Sequence, residues 1–257
     1  MEKNNDPIIN DNNGKEIEIN QEEKDSEIIS DDNTISNNEN ITYEAKVVKI
    51  PDKLQSQNIL TFKIIIVGNS GVGKTSITNN AVRNVFFDSY RATIGMEIFT
   101  LFVKVNNKLV KLQIWDTCGQ EIYRSLISNF YRNSSLAVIV YSIDKKSSFK
   151  DIDLWLKELR LNSSPDIKII LIGNKSDLIG KREVSYDEGA KYLEQDGIIA
   201  FYETSAKTGD NIKKIFEEIA IELYKDYKKY KITDISVKSY GSFKTTNSSS
   251  NKKKSCC

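Results

Sequence analysis

A glycine-rich segment in the first half of the chain has the residue types and spacing of a phosphate-binding loop. It reads Gly68-Asn-Ser-Gly-Val-Gly-Lys74-Thr75. Glycines let backbone N–H groups turn inward around phosphate oxygens, and a helix that follows adds its positive N-terminus. Lys74 would supply a positive charge, and the Thr75 hydroxyl can ligate Mg²⁺. The residues predicted to contact phosphate here are Gly68, Ser70, Gly71, Val72, Gly73, Lys74, Thr75 and Ser76.

A flexible glycine turn is the alternative interpretation of this segment. An apolar strand pattern precedes Gly68 and a helical pattern follows Thr75. This context is the one that a phosphate-binding loop requires. It favours the phosphate loop over the flexible turn.

A second motif, Asp116-Thr-Cys-Gly119-Gln120, follows the third apolar strand pattern. An aspartate at this place can hold the shell of a Mg²⁺ ion, a glycine amide can meet a terminal phosphate, and a glutamine can orient a water molecule. Asp116 is therefore a predicted metal ligand, Gly119 a predicted phosphate contact and Gln120 the predicted catalytic residue.

Two later motifs point to the base of the nucleotide. Asn174-Lys175-Ser176-Asp177 and Ser205-Ala206-Lys207 each follow an apolar strand pattern, at the sheet edge where α/β proteins bind ligands. A carboxylate can accept both the N1–H and the N2 amino hydrogens of guanine, a pair that adenine does not offer. The motifs favour GTP over ATP. The predicted guanine-binding residues in them are Asn174, Lys175, Asp177, Ser205, Ala206 and Lys207.

These motifs need a sheet to bring them together. Three short, β-branched runs are typical of strands buried on both faces: Thr61 to Val67, Leu136 to Tyr141 and Lys168 to Ile172. Phe99 to Val105 and Leu109 to Trp115 flank Asn106-Asn107-Lys108 and predict a β-hairpin. Amphipathic stretches at Ser148–Leu161 and Asn211–Tyr227 predict crossover helices. The expected fold is a doubly wound α/β domain with a six-stranded, mostly parallel sheet that contains one antiparallel strand.

Composition excludes several other classes of protein. The 37 Lys and Arg residues balance 36 Asp and Glu residues, which argues against a nucleic-acid-binding protein. The chain has no His, so mechanisms that use an imidazole base and the usual zinc enzymes are excluded. Three Cys residues make no disulfide framework and favour a reducing compartment. The N-terminus lacks the apolar region of a secretory signal, so we expect a cytosolic protein.

Charge divides the chain into three parts. Residues 1–58 carry 14 acidic residues against 6 lysines, and we expect an acidic, Asn-rich disordered extension there. Residues 227–257 carry 8 lysines against one aspartate and end in Cys256-Cys257, which predicts a basic flexible tail. The globular domain is expected at residues 59–226. Solvation, rather than a specific partner, is the favoured role of the N-terminal extension.

With these motifs in order, the sequence from Thr61 to Leu223 resembles the Ras superfamily of small GTPases, and within it the Rab family. Rab-like features are Ala92-Thr-Ile-Gly95, Lys111-Leu-Gln-Ile-Trp-Asp-Thr117 and the terminal Cys256-Cys257. The stretches Tyr90–Gly95, Tyr123–Ile127 and Phe130–Arg132 look most like the Golgi-associated Rab subgroup.

The resemblance implies a slowly hydrolysing GTP switch in vesicle trafficking, with GTP or GDP and Mg²⁺ as ligands. Thr93 would complete the metal shell of Thr75 and Asp116 when the γ-phosphate is present. Phe86 would lie edge-on to the base, and Gln120 would position the hydrolytic water. Segments Phe86–Ile98 and Cys118–Leu126 would be the switches.

The same resemblance implies partners and a location. An exchange factor, a GTPase-activating protein, effectors, and prenyl-Rab escort or dissociation proteins would bind the protein. Geranylgeranyl groups on Cys256 and Cys257 would attach it to the cytoplasmic face of an intracellular membrane, with the Golgi as the candidate, and the protein would cycle with the cytosol.

Departures from the family pattern keep an alternative open. Cys118 stands where the family has alanine, Ile98 where Rab proteins carry an aromatic residue, and Ser142 where they carry aspartate. A nucleotide-bound scaffold that recruits partners to a membrane without cycling is therefore the alternative. A phosphate-loop kinase or ATPase is disfavoured by Asp177. Cys118 is expected to be either an oxidation-sensitive thiol or, preferably, a small buried hydrophobic residue.

Overall fold

A computed structural model of the chain describes residues 8–10, 16–18, 42–49, 59–88, 93, 95–119 and 130–241. Near the N-terminus two short strands, β1 (Ile8–Asn10) and β2 (Glu16–Glu18), pair antiparallel as a sheet of their own. The rest of the described chain is built on one large sheet.

The large sheet contains seven strands among the described residues. They are β3 (Ala45–Val48), β4 (Leu60–Val67), β5 (Met96–Val105), β6 (Lys108–Thr117), β7 (Leu136–Ser142), β8 (Lys168–Asn174) and β9 (Ile198–Thr204). Their order is β3-β5-β6-β4-β7-β8-β9. β5 runs antiparallel to both of its neighbours, and the remaining pairs are parallel. The predicted fold class, with one antiparallel strand, is confirmed.

The sheet has one strand more than the six predicted. β3 comes from the segment that composition assigned to the acidic extension, and it pairs from Ala45 opposite Val105 to Val48 opposite Phe102. The average charge of 58 residues does not reveal a strand of four residues. β3 covers part of the edge of β5, where unpaired backbone groups would otherwise face solvent.

Helices lie on both faces of the sheet. They are α1 (Lys74–Arg83), α2 (Lys146–Lys150), α3 (Ile152–Asn162), α4 (Tyr186–Ala190) and α5 (Ile212–Gly241), with 3₁₀ turns at Ile179–Lys181 and Lys191–Glu194. The helix predicted over Ser148–Leu161 is divided at Asp151 into α2 and α3. α5 continues beyond Tyr227, because no proline or glycine interrupts the sequence before Gly241. No helix in the described ranges is both long and apolar enough to cross a bilayer.

Strand β4 shows how the core divides. Ile64 and Ile66 face the cluster packed under α1 and α5, whereas Ile65 and Val67 face the cluster packed under α3. All four side chains are fully buried. Such a strand is buried on both faces, as its continuous apolar run predicts. The carboxyl ends of β4, β8 and β9 are thereby fixed along one edge of the sheet, where the loops that follow them meet.

Candidate nucleotide-binding site

A cavity of about 670 Å³ lies at the carboxyl edge of the sheet. Its walls come from the loops after β4, β8 and β9 together with Phe86, Thr93 and Gly119. The motifs that the sequence places far apart therefore line one space. From the phosphate loop and the base motifs the lining includes Ser70, Gly71, Gly73, Lys74, Thr75, Ser76, Asn174, Lys175, Asp177, Ala206 and Lys207.

At two positions in the loop after β4, any residue other than glycine would displace neighbouring atoms. Gly68 has a φ of 140°, and a Cβ there would lie 2.1 Å from the carbonyl oxygen of Val140 on β7. Gly73 has a φ of 99°, and a Cβ there would lie 2.3 Å from the side-chain nitrogen of Asn174. The loop therefore packs directly against two neighbouring strands. Its Val72 side chain is fully buried in the core and does not face the cavity.

Lys74 is the first residue of helix α1, and its side chain is buried. Its Nζ donates hydrogen bonds to the carbonyl oxygens of Gly68 at 2.8 Å and Asn69 at 3.0 Å. Gly119 lies close to the same ammonium group, since a Cβ at Gly119 would be 2.4 Å from Lys74 Nζ. The geometry places a positive charge beside the backbone of a glycine in the wall of the cavity.

Three oxygen-bearing side chains meet beside this lysine. The Thr75 hydroxyl donates to Asp116 Oδ2 at 2.5 Å and lies 2.7 Å from the Thr93 hydroxyl. Within the described residues, Asp116 Oδ1 is buried with no hydrogen-bond partner. Burial raises the pKa of Asp116 to about 6, although the Thr75 hydrogen bond and the charge of Lys74 oppose the shift. An orphaned carboxylate oxygen beside two hydroxyl groups fits a hard cation.

The oxygen donors at this site fit a hard cation such as Mg²⁺. No group of three or more His, Cys, Asp or Glu side chains that could hold a metal occurs in the described part of the chain. Mg²⁺ commonly binds one or two carboxylates and completes its shell with water and substrate phosphates. Asp116 with Thr75 and Thr93 has that composition.

The opposite end of the cavity carries the base motifs. The Ser205 hydroxyl donates to Asp177 Oδ1 at 2.6 Å and accepts from the backbone N–H of Thr208 at 3.1 Å. Lys175 adopts a left-handed conformation with a φ of 68°, and its ammonium lies 3.6 Å from Asp144. The buried Ser205 thus fixes an exposed Asp177 carboxylate at the mouth of the cavity.

Asn174 has a different position from the other base-motif residues. Its Nδ2 donates to the carbonyl of Val72 at 2.8 Å, and its Oδ1 accepts from Thr204 Oγ1 at 3.1 Å and from Ala206 N at 3.2 Å. It therefore ties the phosphate loop to the loop after β9. Motif spacing alone did not indicate this role. A second tie, from Asn80 of α1 to the Ala206 carbonyl at 3.1 Å, was missed as well, because Asn80 belongs to no motif.

Several predicted positions lie in parts of the chain that the structure does not describe. They are the catalytic candidate Gln120, the lipidation candidates Cys256 and Cys257, and most of the second switch. In the first switch, Phe86 and Thr93 are both half-buried, and both line the cavity.

The family departures have clear structural settings. Cys118 is 1% exposed and packs in the core cluster under α3, which agrees with a small buried hydrophobic residue. Ile98 is 50% exposed. Ser142 is fully buried, and its hydroxyl donates to Asp144.

Comparison with known proteins assigns the chain to a family. The model of the Ras family matches residues 63–225, which include the whole cavity described above. The chain belongs to the Ras family. It is 41% identical over 203 residues to the Ras-related protein Rab11C of Lotus japonicus, which covers 76% of this chain and 94% of the relative.

Two proteins of Arabidopsis thaliana are similar to the same degree. The Ras-related protein RABA1b is 40% identical over 164 residues, covering 64% of this chain and 76% of the relative. The Ras-related protein RABA2a is 38% identical over 203 residues, covering 76% and 93%. This Ras-family protein is accordingly a Rab-type GTPase, a GTP-hydrolysing switch in vesicle trafficking.

Proposed function

We propose that this Ras-family protein binds GTP and GDP together with Mg²⁺ in the cavity at the carboxyl edge of the sheet, and cycles between the two nucleotides on a membrane. One observation carries the proposal. The buried Lys74, the oxygen cluster of Thr75, Thr93 and Asp116, and the Ser205-supported Asp177 carboxylate all line or adjoin one cavity. The charged groups suit a polyphosphate beside Lys74 and a guanine base beside Asp177.

Thr75, Thr93 and Asp116 would hold the Mg²⁺ ion. Bound there, the ion would neutralise negative charge on the β- and γ-phosphates. Lys74 would contribute a second positive charge, and the backbone amides of Gly71 and Gly73 would contribute hydrogen bonds to phosphate oxygens. Loss of the γ-phosphate would remove an interaction that holds Thr93 beside Thr75. The proposal therefore makes Thr93 the link between nucleotide and first switch.

Gln120 is proposed as the residue that orients the attacking water. Phosphoryl transfer to water depends on positioning and charge stabilisation more than on a strong base, so a chain without His can perform it. GTP hydrolysis by the protein alone should be slow. In this class, an activating protein that supplies an arginine raises the hydrolysis rate by about 10³ to 10⁵. A non-cycling scaffold is not favoured, since the family members are GTPases.

A single-turnover hydrolysis assay tests this part of the proposal. The parent protein, loaded with GTP, should convert it slowly to GDP. A Gln120→Leu variant should bind GTP as tightly as the parent and hydrolyse it more slowly, with or without an activating protein. A parental hydrolysis rate in Gln120→Leu would show that another group orients the water.

We further propose geranylgeranyl groups on Cys256 and Cys257 as the membrane anchor. Two lipid chains give stable attachment, whereas one is marginal. The lysines at 252–254 would add about 1 kcal/mol each at an anionic leaflet. Exchange factors, activating proteins, effectors, and escort or dissociation proteins would act on the cycle between membrane and cytosol. The switch residues resemble the Golgi-associated subgroup, which makes the Golgi the first membrane to test.

Changing both Cys256 and Cys257 to Ser tests the anchor. This variant should move to the soluble fraction of cells and keep its GTP binding. Neutralising the three lysines instead should change only salt sensitivity or membrane preference. Sedimentation of the double Ser variant with membranes, as in the parent, would place the anchor elsewhere.

A further inference from the structure

Asn69, the second residue of the phosphate loop, is joined by its side chain to helix α3. Its Oδ1 accepts a hydrogen bond from the indole Nε1 of Trp155 at 2.8 Å, and its Nδ2 donates to Asp151 Oδ2 at 2.5 Å. Trp155 is 1% exposed and Asn69 8% exposed. The hydrogen bond from Trp155 is buried and the one to Asp151 is partly buried, and loss of a partner at such sites is costly.

The backbone carbonyl of Asn69 contacts two residues that line the cavity, Lys74 and Gly119. Its carbonyl oxygen accepts from Lys74 Nζ at 3.0 Å. The same carbonyl lies against Gly119, since a Cβ on Gly119 would be 2.5 Å from its carbon and its oxygen. Asn69 thus lies between α3 on one side and two groups proposed to face the nucleotide phosphates on the other.

The chemistry of the three side chains selects an amide at this position. Trp155 offers only a donor, and the Asp151 carboxylate offers only acceptors. Asparagine supplies one acceptor and one donor and satisfies both. An aspartate at residue 69 would still accept from Trp155, but it would bring a second carboxylate to hydrogen-bond distance of Asp151, where two negative charges repel.

We propose that Asn69 is a positioning residue for nucleotide retention: through its amide, Trp155 of α3 and Asp151, the residue just before α3, fix the backbone that contacts Lys74 and Gly119. The inference rests on the proposed function, in which this cavity binds GTP and GDP. It assigns α3 a role in holding the phosphate loop in place. A disturbance at the start of α3 therefore alters how long GDP stays bound, without contact with the nucleotide.

A charge swap tests the inference on the full chain. Dissociation of a fluorescent GDP analogue is measured for the parent, Asn69→Asp, Asp151→Asn and the double variant. Asn69→Asp should release GDP about tenfold faster or more, as expected for the loss of one partly buried hydrogen bond to a charged group. The double variant restores an amide–carboxylate pair with its polarity reversed, and its rate should return to within about threefold of the parent.

The matched control is Asn162→Asp. Asn162 is half-buried, and its Nδ2 donates to the Glu158 carbonyl at 2.8 Å near the far end of α3. This change should leave GDP release at the parental rate. Thermal unfolding of every variant separates release from loss of fold, and rescue by the swap is an effect that general destabilisation would not produce.

Two results would overturn the role of Asn69: a parental release rate in Asn69→Asp, or a double variant that releases GDP as fast as Asn69→Asp. If Asn69→Asp does not fold, Trp155→Phe replaces it, because that change removes the indole donor and keeps an aromatic ring, and thermal unfolding measures the cost of the smaller ring. Trp155→Phe should then speed release, and a parental rate would overturn the inference. Failure of the parent itself to bind GDP would contradict the proposed function instead.

Discussion

Asn174 of β8 donates its side-chain amide to the carbonyl oxygen of Val72 in the phosphate loop, 2.8 Å away and 102 residues earlier in the chain. The oxygen of the same amide accepts the backbone N–H of Ala206. Asn174 is 1% exposed, so these hydrogen bonds do not compete with water. One buried side chain therefore joins the loop after β4 to the loop after β9, and both loops line the cavity.

Replacing Asn174 with Ala should accelerate GDP release by about 10- to 100-fold. The change leaves the Val72 carbonyl and the Ala206 N–H without partners, and each buried unsatisfied group costs about 1–3 kcal/mol. Stopped-flow dissociation of a fluorescent GDP analogue measures the effect. Asn162→Ala, at a half-buried amide on α3, is the matched control and should release GDP normally. Equal rates in both variants would contradict the bridging role of Asn174.

Asp177→Asn should reverse the base preference of the site. Guanine presents donors at N1 and N2, and an amide nitrogen at residue 177 would meet one of them with another donor. Xanthine carries an acceptor oxygen at the same ring position, so the variant should prefer XDP to GDP by about 10-fold or more. Competition binding with the two diphosphates measures the ratio.

The control for this change is Asp210→Asn. Asp210 is an exposed carboxylate near the same loop, and its backbone oxygen accepts from Ser205 N at 3.3 Å. The substitution leaves that backbone contact intact. It should keep the GDP preference of the parent. If Asp177→Asn also keeps the GDP preference, the Asp177 carboxylate does not recognise the base.

Gly119→Ala should weaken GTP binding much more than GDP binding. Its Cβ would lie 2.4 Å from Lys74 Nζ and 2.5 Å from the Asn69 carbonyl, so Lys74 or the second switch has to move. The amide of Gly119 is proposed to meet the terminal phosphate, which only GTP carries. A difference of about tenfold corresponds to 1.4 kcal/mol, within the cost of one such contact.

Gly180→Ala provides a matched control for Gly119→Ala. A Cβ at Gly180 has nothing within 4 Å, and its φ is not positive. Equilibrium titration with GDP and with a non-hydrolysable GTP analogue should give parental values for this variant. Parental values for Gly119→Ala as well would show that the loop adapts without cost.

Cys118 should be unreactive toward thiol reagents while the protein is folded. The side chain is 1% exposed and packs in the core cluster under α3, so a reagent reaches it only when the structure opens. In a background with Cys256 and Cys257 changed to Ser, we expect negligible labelling of native protein and one labelled thiol after unfolding in denaturant. Rapid labelling of the native protein would revive the hypothesis of an oxidation-sensitive switch.

The chemistry of the site was the part most accessible from sequence. Gly68, Lys74 and Asp177 belong to short motifs in which residue type and spacing are dictated by phosphate and guanine, so the motifs are readable without a structure. The hydrogen bonds that connect the motifs could not be predicted from the sequence. Asn69 and Asn80 make their hydrogen bonds across the fold, to Trp155 and to the Ala206 carbonyl. Such partners are set by tertiary packing, which local spacing does not encode.

The boundaries of the domain also could not be predicted from the sequence alone. Averaged charge identified an acidic extension and a basic tail, but secondary structure responds to individual residues. Ala45–Val48 pairs with β5 because two adjacent valines can be buried there, and α5 continues to Gly241 because nothing in the sequence stops it. A change in charge along the sequence therefore does not mark where the folded structure begins or ends.

Strand β3 makes the N-terminal extension a contributor to stability. Val47 and Val48 are 4% and 6% exposed, and Val47 N donates to Glu217 Oε1 of α5 at 3.1 Å. Glu44 adds two hydrogen bonds to Asn106 in the β5–β6 turn, at 2.8 and 2.9 Å. Burial of two valines stabilises by about 1.5–3 kcal/mol each. Removing the strand should therefore lower stability by several kcal/mol.

A pair of truncations measures this contribution. Deleting residues 2–41 keeps β3 and should leave the melting temperature of the GDP-bound protein within about 2 °C of the parent. Deleting residues 2–49 removes β3 and should lower it by about 5 °C or more, since 1 kcal/mol corresponds to roughly 2–4 °C in a domain of this size. Val47→Asp in the full chain should lower the melting temperature in the same direction, because it places an unpaired charge in the core. Equal melting temperatures for the two truncations would mean that β3 rests on the sheet edge without stabilising the domain.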